Sequence, residues 1–272
     1  METIYISNWS KGQNAIQENT LFLIDNFVRT INKYSPNVVI KFLTDENTVS
    51  QLSEFVLANT DIDLVLEQFD NHEPHEWPLV KLKTIGLINS EEILHLDYDM
   101  IIKTPIEELF RVFRESEYDV IYQKSEPIAH PYYSKWLRAN KQQNIFEGVK
   151  NQIAYNAGVS YFKTKACRDL YVSTYDFQSE SFGDYIALEQ MVIPALMERN
   201  GIKIGTLFSL VSKFQTLPNY DFQGHSSLAK SDYDYVSRSG CFIPNLGIYH
   251  FIGDMKYKPN IQELITQLSE LD

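Results

Sequence analysis

Over its first hundred residues the chain alternates short apolar runs with helix-periodic segments, and that alternation constrains its fold more than any other feature. Residues 3–7 read as a strand. In residues 13–34, Leu21, Ile24, Val28 and Ile31 fall at helical spacing, and Ser35-Pro36 ends the helix. Val38-Val39-Ile40-Lys41-Phe42-Leu43 reads as a buried strand, and Thr44-Asp45 as the cap of a helix running to about Ala58. Ile62–Leu66 is a third strand, Leu79–Ile88 a helix, and Glu92–Leu96 a fourth strand. The order predicts an α/β protein: a Rossmann-like, mostly parallel central sheet flanked by helices.

Beyond residue 100 the pattern loosens. Pro105–Phe113 reads as a helix, Tyr118–Gln123 and Ala157–Phe162 as strands, and Asp184–Asn200 as a helix kinked by Pro194 and stopped by Gly201. Residues 124–153 are mixed and polar, with weak helical character at 132–141, and residues 213–240 read as a loop folding over a site. Gly247–Phe251 is a late strand and Ile261–Leu271 a closing amphipathic helix. No linker or repeat divides the sequence, so residues 1–272 are read as a single domain.

Composition narrows the function classes. A net charge of −12 argues against nucleic acid or an anionic membrane as the main partner. No apolar stretch reaches the roughly 20 residues of a membrane span. Cys167 and Cys241 match neither a zinc pattern nor a disulfide framework, and the N-terminus lacks a basic leader. A reducing, cytoplasmic setting is expected.

Asp97-Tyr98-Asp99 follows the fourth strand directly. If that strand is buried, both carboxylates stand at the rim where open α/β sheets bind ligands. Two carboxylates this close repel unless a cation lies between them, and hard divalent ions such as Mg²⁺ or Mn²⁺ suit them. Alone, the triplet has a plainer reading as a solvated acidic turn. Four other segments raise it: Lys81 in Trp77-Pro78-Leu79-Val80-Lys81-Leu82, Asn156 and Gly158 in Tyr155-Asn156-Ala157-Gly158-Val159, the pair Glu189-Gln190, and His250-Phe251-Ile252-Gly253-Asp254-Met255-Lys256. Singly, Lys81 is a solvated helix lysine, Asn156 a turn amide, Glu189 a surface charge and His250 an edge histidine. Their order is what carries weight. By contrast His72-Glu73-Pro74-His75-Glu76 reads as a solvated acidic loop rather than a second metal site, because Pro74 prevents a helical presentation.

In that order the segments resemble the family 8 glycosyltransferases, the group containing glycogenin and the bacterial lipopolysaccharide galactosyl- and glucosyltransferases. The pattern is a T-K-L-type helix, a strand ending in D-x-D, an N-S-G-V strand, a D-Q helix and a terminal H-F-x-G-x-x-K. The resemblance implies a GT-A fold with a small additional sheet and lid loops, and a hexose moved from a nucleotide-sugar donor, usually UDP-linked, with retention. Asp97, Asp99 and His250 would hold Mn²⁺ or Mg²⁺. Lys81, Gly253 and Lys256 would bind the donor, the last at its diphosphate. Asn156 and Glu189-Gln190 would line the sugar pocket, with Glu189, Gln190 and Asp99 closest to the chemistry. The acceptor is open between a glycan, a lipid-linked sugar, a peptide and a protein. Ala157 and Glu189 depart from the family's Ser and Asp, which leaves the donor sugar open. Trp9-Ser10-Lys11-Gly12 departs from its nucleotide-binding opening, and Lys258-Pro259 is offset from its K-P, which leaves Lys256 and Lys258 both open as phosphate contacts.

Two other readings stand beside it. A haloacid-dehalogenase-type phosphatase would use Asp97 as nucleophile, but normally places it after the first strand. A non-catalytic GT-A-like binding protein would keep the fold without turnover. A sugar nucleotidyltransferase would need a Gly-rich, basic loop that residues 7–14 do not supply.

Overall fold

Four short segments form the parallel half of a seven-stranded sheet: β1 (Thr3–Ser7), β2 (Val39–Thr44), β3 (Asp61–Leu64) and β4 (Ile93–Leu96). The computed structural model describes residues 1–10, 17–64, 77–127, 153–178, 188–215, 217, 242–252 and 256–270. β1 pairs in parallel with both β2 and β4, and β2 with β3. The sheet continues through β7 (Ile153–Phe162), antiparallel to β4, then β6 (Val120–Pro127) and β8 (Ile204–Thr206), giving the order β3-β2-β1-β4-β7-β6-β8. All four residues of β4 are buried, as expected of a central strand covered on both faces. Side chains alternate faces along β1: Ile4 and Ile6 pack on one side and Tyr5 on the other.

Helices cover each face. α1 (Glu18–Tyr34) buries Ile24, Phe27, Val28 and Ile31 against the sheet, with α5 (Ile106–Glu115) beside it. α4 (Trp77–Leu87), α6 (Lys165–Gln178) and α7 (Ile193–Arg199) lie over the opposite face. A second, antiparallel sheet of order β5-β10-β9 joins β5 (Met100–Ile102), β10 (Ile248–His250) and β9 (Phe242–Ile243). The closing helix α8 (Pro259–Glu270) buries Ile261, Leu264, Ile265 and Leu268 against it and α1. The expected α/β architecture, mostly parallel main sheet and small extra sheet are all present. Among the described residues no helix is long and apolar enough to cross a membrane, and Cys167 is free and buried.

Local differences from the sequence reading have physical causes. The helix expected over 44–58 is two: α2 (Glu46–Val49), capped by Asp45 Oδ1 accepting from Thr48 N–H at 2.8 Å, and α3 (Glu54–Asn59), restarted by Ser53 Oγ accepting from Val56 N–H. Ser53 offers its own cap and breaks the first helix after one turn. The helix interrupted at Pro194 is distorted just ahead of the proline, where a π turn at Leu188–Val192 runs directly into α7. Pro194 sits in the first turn of α7, where a missing N–H is tolerated. Gly201 ends α7 as expected, at φ +83°, with Gly201 N–H on the Glu198 carbonyl and Ile202 N–H on the Met197 carbonyl. α6 and the short strands β5, β8 and β9 are additions. Residues 128–152 and 218–241, which hold most of the expected lid segments, lie outside the described residues, as do His72–Glu76 and Gly253.

Candidate metal and donor site

The D-x-D turn is tied to both sheets. Asp97 follows β4, and its N–H donates to the Gly158 carbonyl on β7 at 2.9 Å. Asp99 precedes β5, and its carbonyl accepts from Phe251 N–H at 2.9 Å. β5 and β10 pair so that Met100 faces His250, which brings the imidazole beside the turn from 150 residues away. The result is a cluster of Asp97, Asp99 and His250, with one ligand atom from each within 4.8 Å of the others. His250 Nε2 stands 3.2 Å from Asp99 Oδ1 and 3.9 Å from Asp97 Oδ2.

Each carboxylate uses its other oxygen on a lysine. Lys256 Nζ donates to Asp99 Oδ2 at 2.6 Å, and Lys81 Nζ to Asp97 Oδ1 at 2.8 Å. Lys81 also donates to the Ala157 carbonyl and lies 3.3 Å from Glu189 Oε1. Burial works against ionisation of Asp99, but the Lys256 charge, with His250 beside it, outweighs that effect and holds the carboxyl below the ordinary carboxylate range. Burial likewise opposes a charge on Lys81; Asp97 and Glu189 more than offset it and its pKa rises. Glu189 is shifted upward by burial, against the pull of Lys81.

The Asn156-Ala157-Gly158-Val159 segment is a bulge. Tyr122 pairs with Ser160 and Lys124 with Asn156, so three residues of β7 oppose the single Gln123 of β6. Asn156 Oδ1 closes the bulge by accepting from Gly158 N–H at 3.0 Å. The bulge frees the Ala157 carbonyl for Lys81, while the Gly158 carbonyl extends the β4–β7 ladder by accepting from Asp97 N–H. Gly158 is required because a Cβ there would meet the His250 ring at 2.4 Å and Gln123 Oε1 at 2.6 Å.

These residues fit a divalent cation. Gln123 Oε1 lies 2.6 Å from His250 Nδ1, and as an acceptor it fixes the proton on that nitrogen. The Nε2 lone pair then faces two carboxylate oxygens. Asp99 Oδ1 is buried and accepts no hydrogen bond from the described residues. Lone pairs converging from three groups at these distances repel until a cation stands among them. Gln123 is the site residue that sequence reasoning missed. Its signal was a polar pair, Gln123-Lys124, at the end of an otherwise buried strand.

The structure thus brings together Lys81, Asp97, Asp99, Asn156, Glu189, His250 and Lys256. Gln190 is half-buried at the next position of the π turn, and Gly253 lies outside the described residues.

This architecture is the GT-A fold of glycosyltransferases. No protein-family model matches the chain, and no curated protein sequence does. Among solved structures it is similar to the glycosyltransferase GlyE of Streptococcus pneumoniae, with a TM-score of 0.52 and 14% identity over 100% of this chain. It spans 60% of GlyE's length. The galactosyltransferase LgtC, solved with donor and acceptor sugar analogs, is similar at a TM-score of 0.52 and 14% identity, over 98% of this chain and 95% of LgtC. Mouse xyloside xylosyltransferase 1 is similar at 0.51 and 14%, over 92% of this chain and 96% of that protein. At such identity the likeness is one of fold, and function is argued from the site.

Proposed function

We propose that this chain is a metal-dependent glycosyltransferase that moves a hexose from a nucleotide-sugar donor, UDP-linked, to an acceptor, with retention, as a single GT-A domain over residues 1–272. The observation that carries this reading is the convergence of Asp97, Asp99 and His250, each with a free ligand atom, between Lys81 and Lys256. Asp97 Oδ2, Asp99 Oδ1 and His250 Nε2 would hold Mn²⁺ or Mg²⁺, which when bound supplies Lewis-acid stabilisation to a departing diphosphate. Lys256, kept protonated beside Asp99, places a second positive charge where the diphosphate would develop its own. Asn156 and Gln190 border the sugar pocket. Glu189, buried against Lys81, is the carboxylate able to stabilise an oxocarbenium-like centre. No protein nucleophile is assigned. The acceptor is a glycan, a lipid-linked sugar, a peptide or a protein, and the sequence contexts of the two cysteines, which match no disulfide framework, support a cytoplasmic setting.

The test is a panel of nucleotide sugars with Mn²⁺, scored for nucleoside diphosphate release and run beside Asp99→Ala. Turnover of a UDP-sugar that falls at least ~100-fold in the variant is expected for loss of a metal ligand. No turnover of any donor, or full turnover by Asp99→Ala, would overturn the assignment.

A further inference from the structure

We infer that Tyr122 and Tyr171 are positioning residues that hold Glu189 through an ordered water sealed beneath the donor site. The proposal rests on the transferase reading for its catalytic consequence, but not for the water itself. Tyr122 on β6 and Tyr171 on α6 are both fully buried, and Glu189 is 4% exposed. Among the described residues, Tyr122 OH, Tyr171 OH and Glu189 Oε1 each lack a hydrogen-bond partner. Glu189 Oε1 lies 3.3 Å from Lys81 Nζ without receiving a well-directed hydrogen bond from it.

The three residues belong to one region. Tyr122, Tyr171 and Leu188, the neighbour of Glu189, share a single core cluster with Met191 and Val192. Both tyrosines feel the Glu189 charge, and Tyr171 also feels Tyr122. Their ring faces are well packed, Tyr122 against Tyr155 and Tyr171 against Phe162, so the orphaned hydroxyls are not products of loose packing. Glu189 stands in a π turn, a distortion that turns a side chain away from its helical direction and recurs at functional sites.

Buried hydroxyls without a partner are costly, as is a carboxylate oxygen whose lysine is poorly aligned, and proteins meet that cost with ordered water making about three hydrogen bonds. One water satisfies this set: it accepts from both tyrosine hydroxyls and donates to Glu189 Oε1. The arrangement gives the carboxylate a second fixed support opposite Lys81. The class of ligand is water, and the consequence is a Glu189 whose oxygen cannot swing away from the sugar centre.

Two measurements separate the parts of this inference. In a high-resolution crystal structure of the full chain, density for one water within hydrogen-bond distance of Tyr122 OH, Tyr171 OH and Glu189 Oε1 is expected. No solvent density between the three atoms would overturn the proposal whatever the enzyme does. In steady-state assays with the donor found active, Tyr171→Phe and Tyr122→Phe should each lower kcat about tenfold, the upper value for one hydrogen bond between uncharged groups. Donor KM and the melting temperature should stay at wild-type values, since phenylalanine preserves the packing. In a Glu189→Gln background the tyrosine change should cost less than about twofold more, as for residues acting as one unit. Losses that multiply fully in the double variant, or that appear in KM and Tm instead, would show a merely structural role. A wild type that transfers no sugar, with the water present, would sink the transferase reading and leave the water site standing.

Discussion

At Gly158 a side chain as small as alanine's would place its Cβ 2.4 Å from His250 Cε1 and 2.5 Å from Nδ1. The backbone there is held by the β7 bulge, so the imidazole must move, and with it the Gln123 contact that orients it. Gly158→Ala should therefore weaken Mn²⁺-dependent UDP binding by at least ~10-fold in calorimetry, the usual scale for disturbing a ligand's support. Circular dichroism should be unchanged. Equal affinity in the variant would remove His250 from the ligand set. The sequence alone marks Gly158 as a point of close approach. It does not say what approaches: the neighbour is His250, supplied by a strand far along the chain. Gln123 was illegible for the same reason, since its role exists only once β6, β7 and β10 have met.

At the scale of elements, the end of α5 is tied to the starts of β1 and β4. Arg114 donates to Glu2 Oε1 at 2.7 Å and to Glu92 Oε2 at 2.6 Å, and Tyr161 OH donates to Glu92 Oε1 at 2.5 Å. The hydrogen bond from Arg114 holds Glu2 below its ordinary value of 4.5. A depressed carboxyl adds stability above its unfolded pKa and loses it as pH falls through the lower folded value. Arg114→Ala should then cost about 1 kcal/mol at pH 7, a modest figure because the cluster is partly solvated. The deficit should shrink below about pH 4. Melting curves at pH 7 and pH 3 check this, and a deficit of equal size at both would contradict it. Element identity was legible wherever a run was long and periodic. α6 was not, because Arg168, 1% exposed and donating to the Ser90 carbonyl at 2.6 Å, puts a charge on the buried face beside Cys167 and Tyr171. β8 and β9 span three and two residues, too short for a period of two to show.

Across the whole molecule, the candidate metal site joins the main sheet to the small one. Asp97 is fixed to β7, Asp99 and His250 to the β5–β10 pair, and Lys256 stands just ahead of α8. A cation bound there engages groups that separate on unfolding, so it must stabilise the native state by mass action. Mn²⁺ at about a hundred times its dissociation constant should add about 2.7 kcal/mol, or a rise in Tm of roughly 5–10 °C. EDTA should reverse the rise, and His250→Ala should abolish it. A Tm indifferent to Mn²⁺ and to Mg²⁺, with and without UDP, would argue against the metal site.

The linear sequence determined the α/β class, the order of the main strands and helices, and the presence of two carboxylates at the end of a central strand. These follow from local periodicity and from the short reach of a turn. It also carried the resemblance that set Lys81, Asn156, Glu189, His250 and Lys256 beside them. Only the tertiary structure decided which of these groups touch and through which atoms. Lys81 bridges Asp97 and Glu189, Gln123 orients His250, and one oxygen of each aspartate is left to face the histidine. Those pairings depend on strand register and on a bulge, which are set by packing between segments remote in sequence and leave no periodic trace in any one of them.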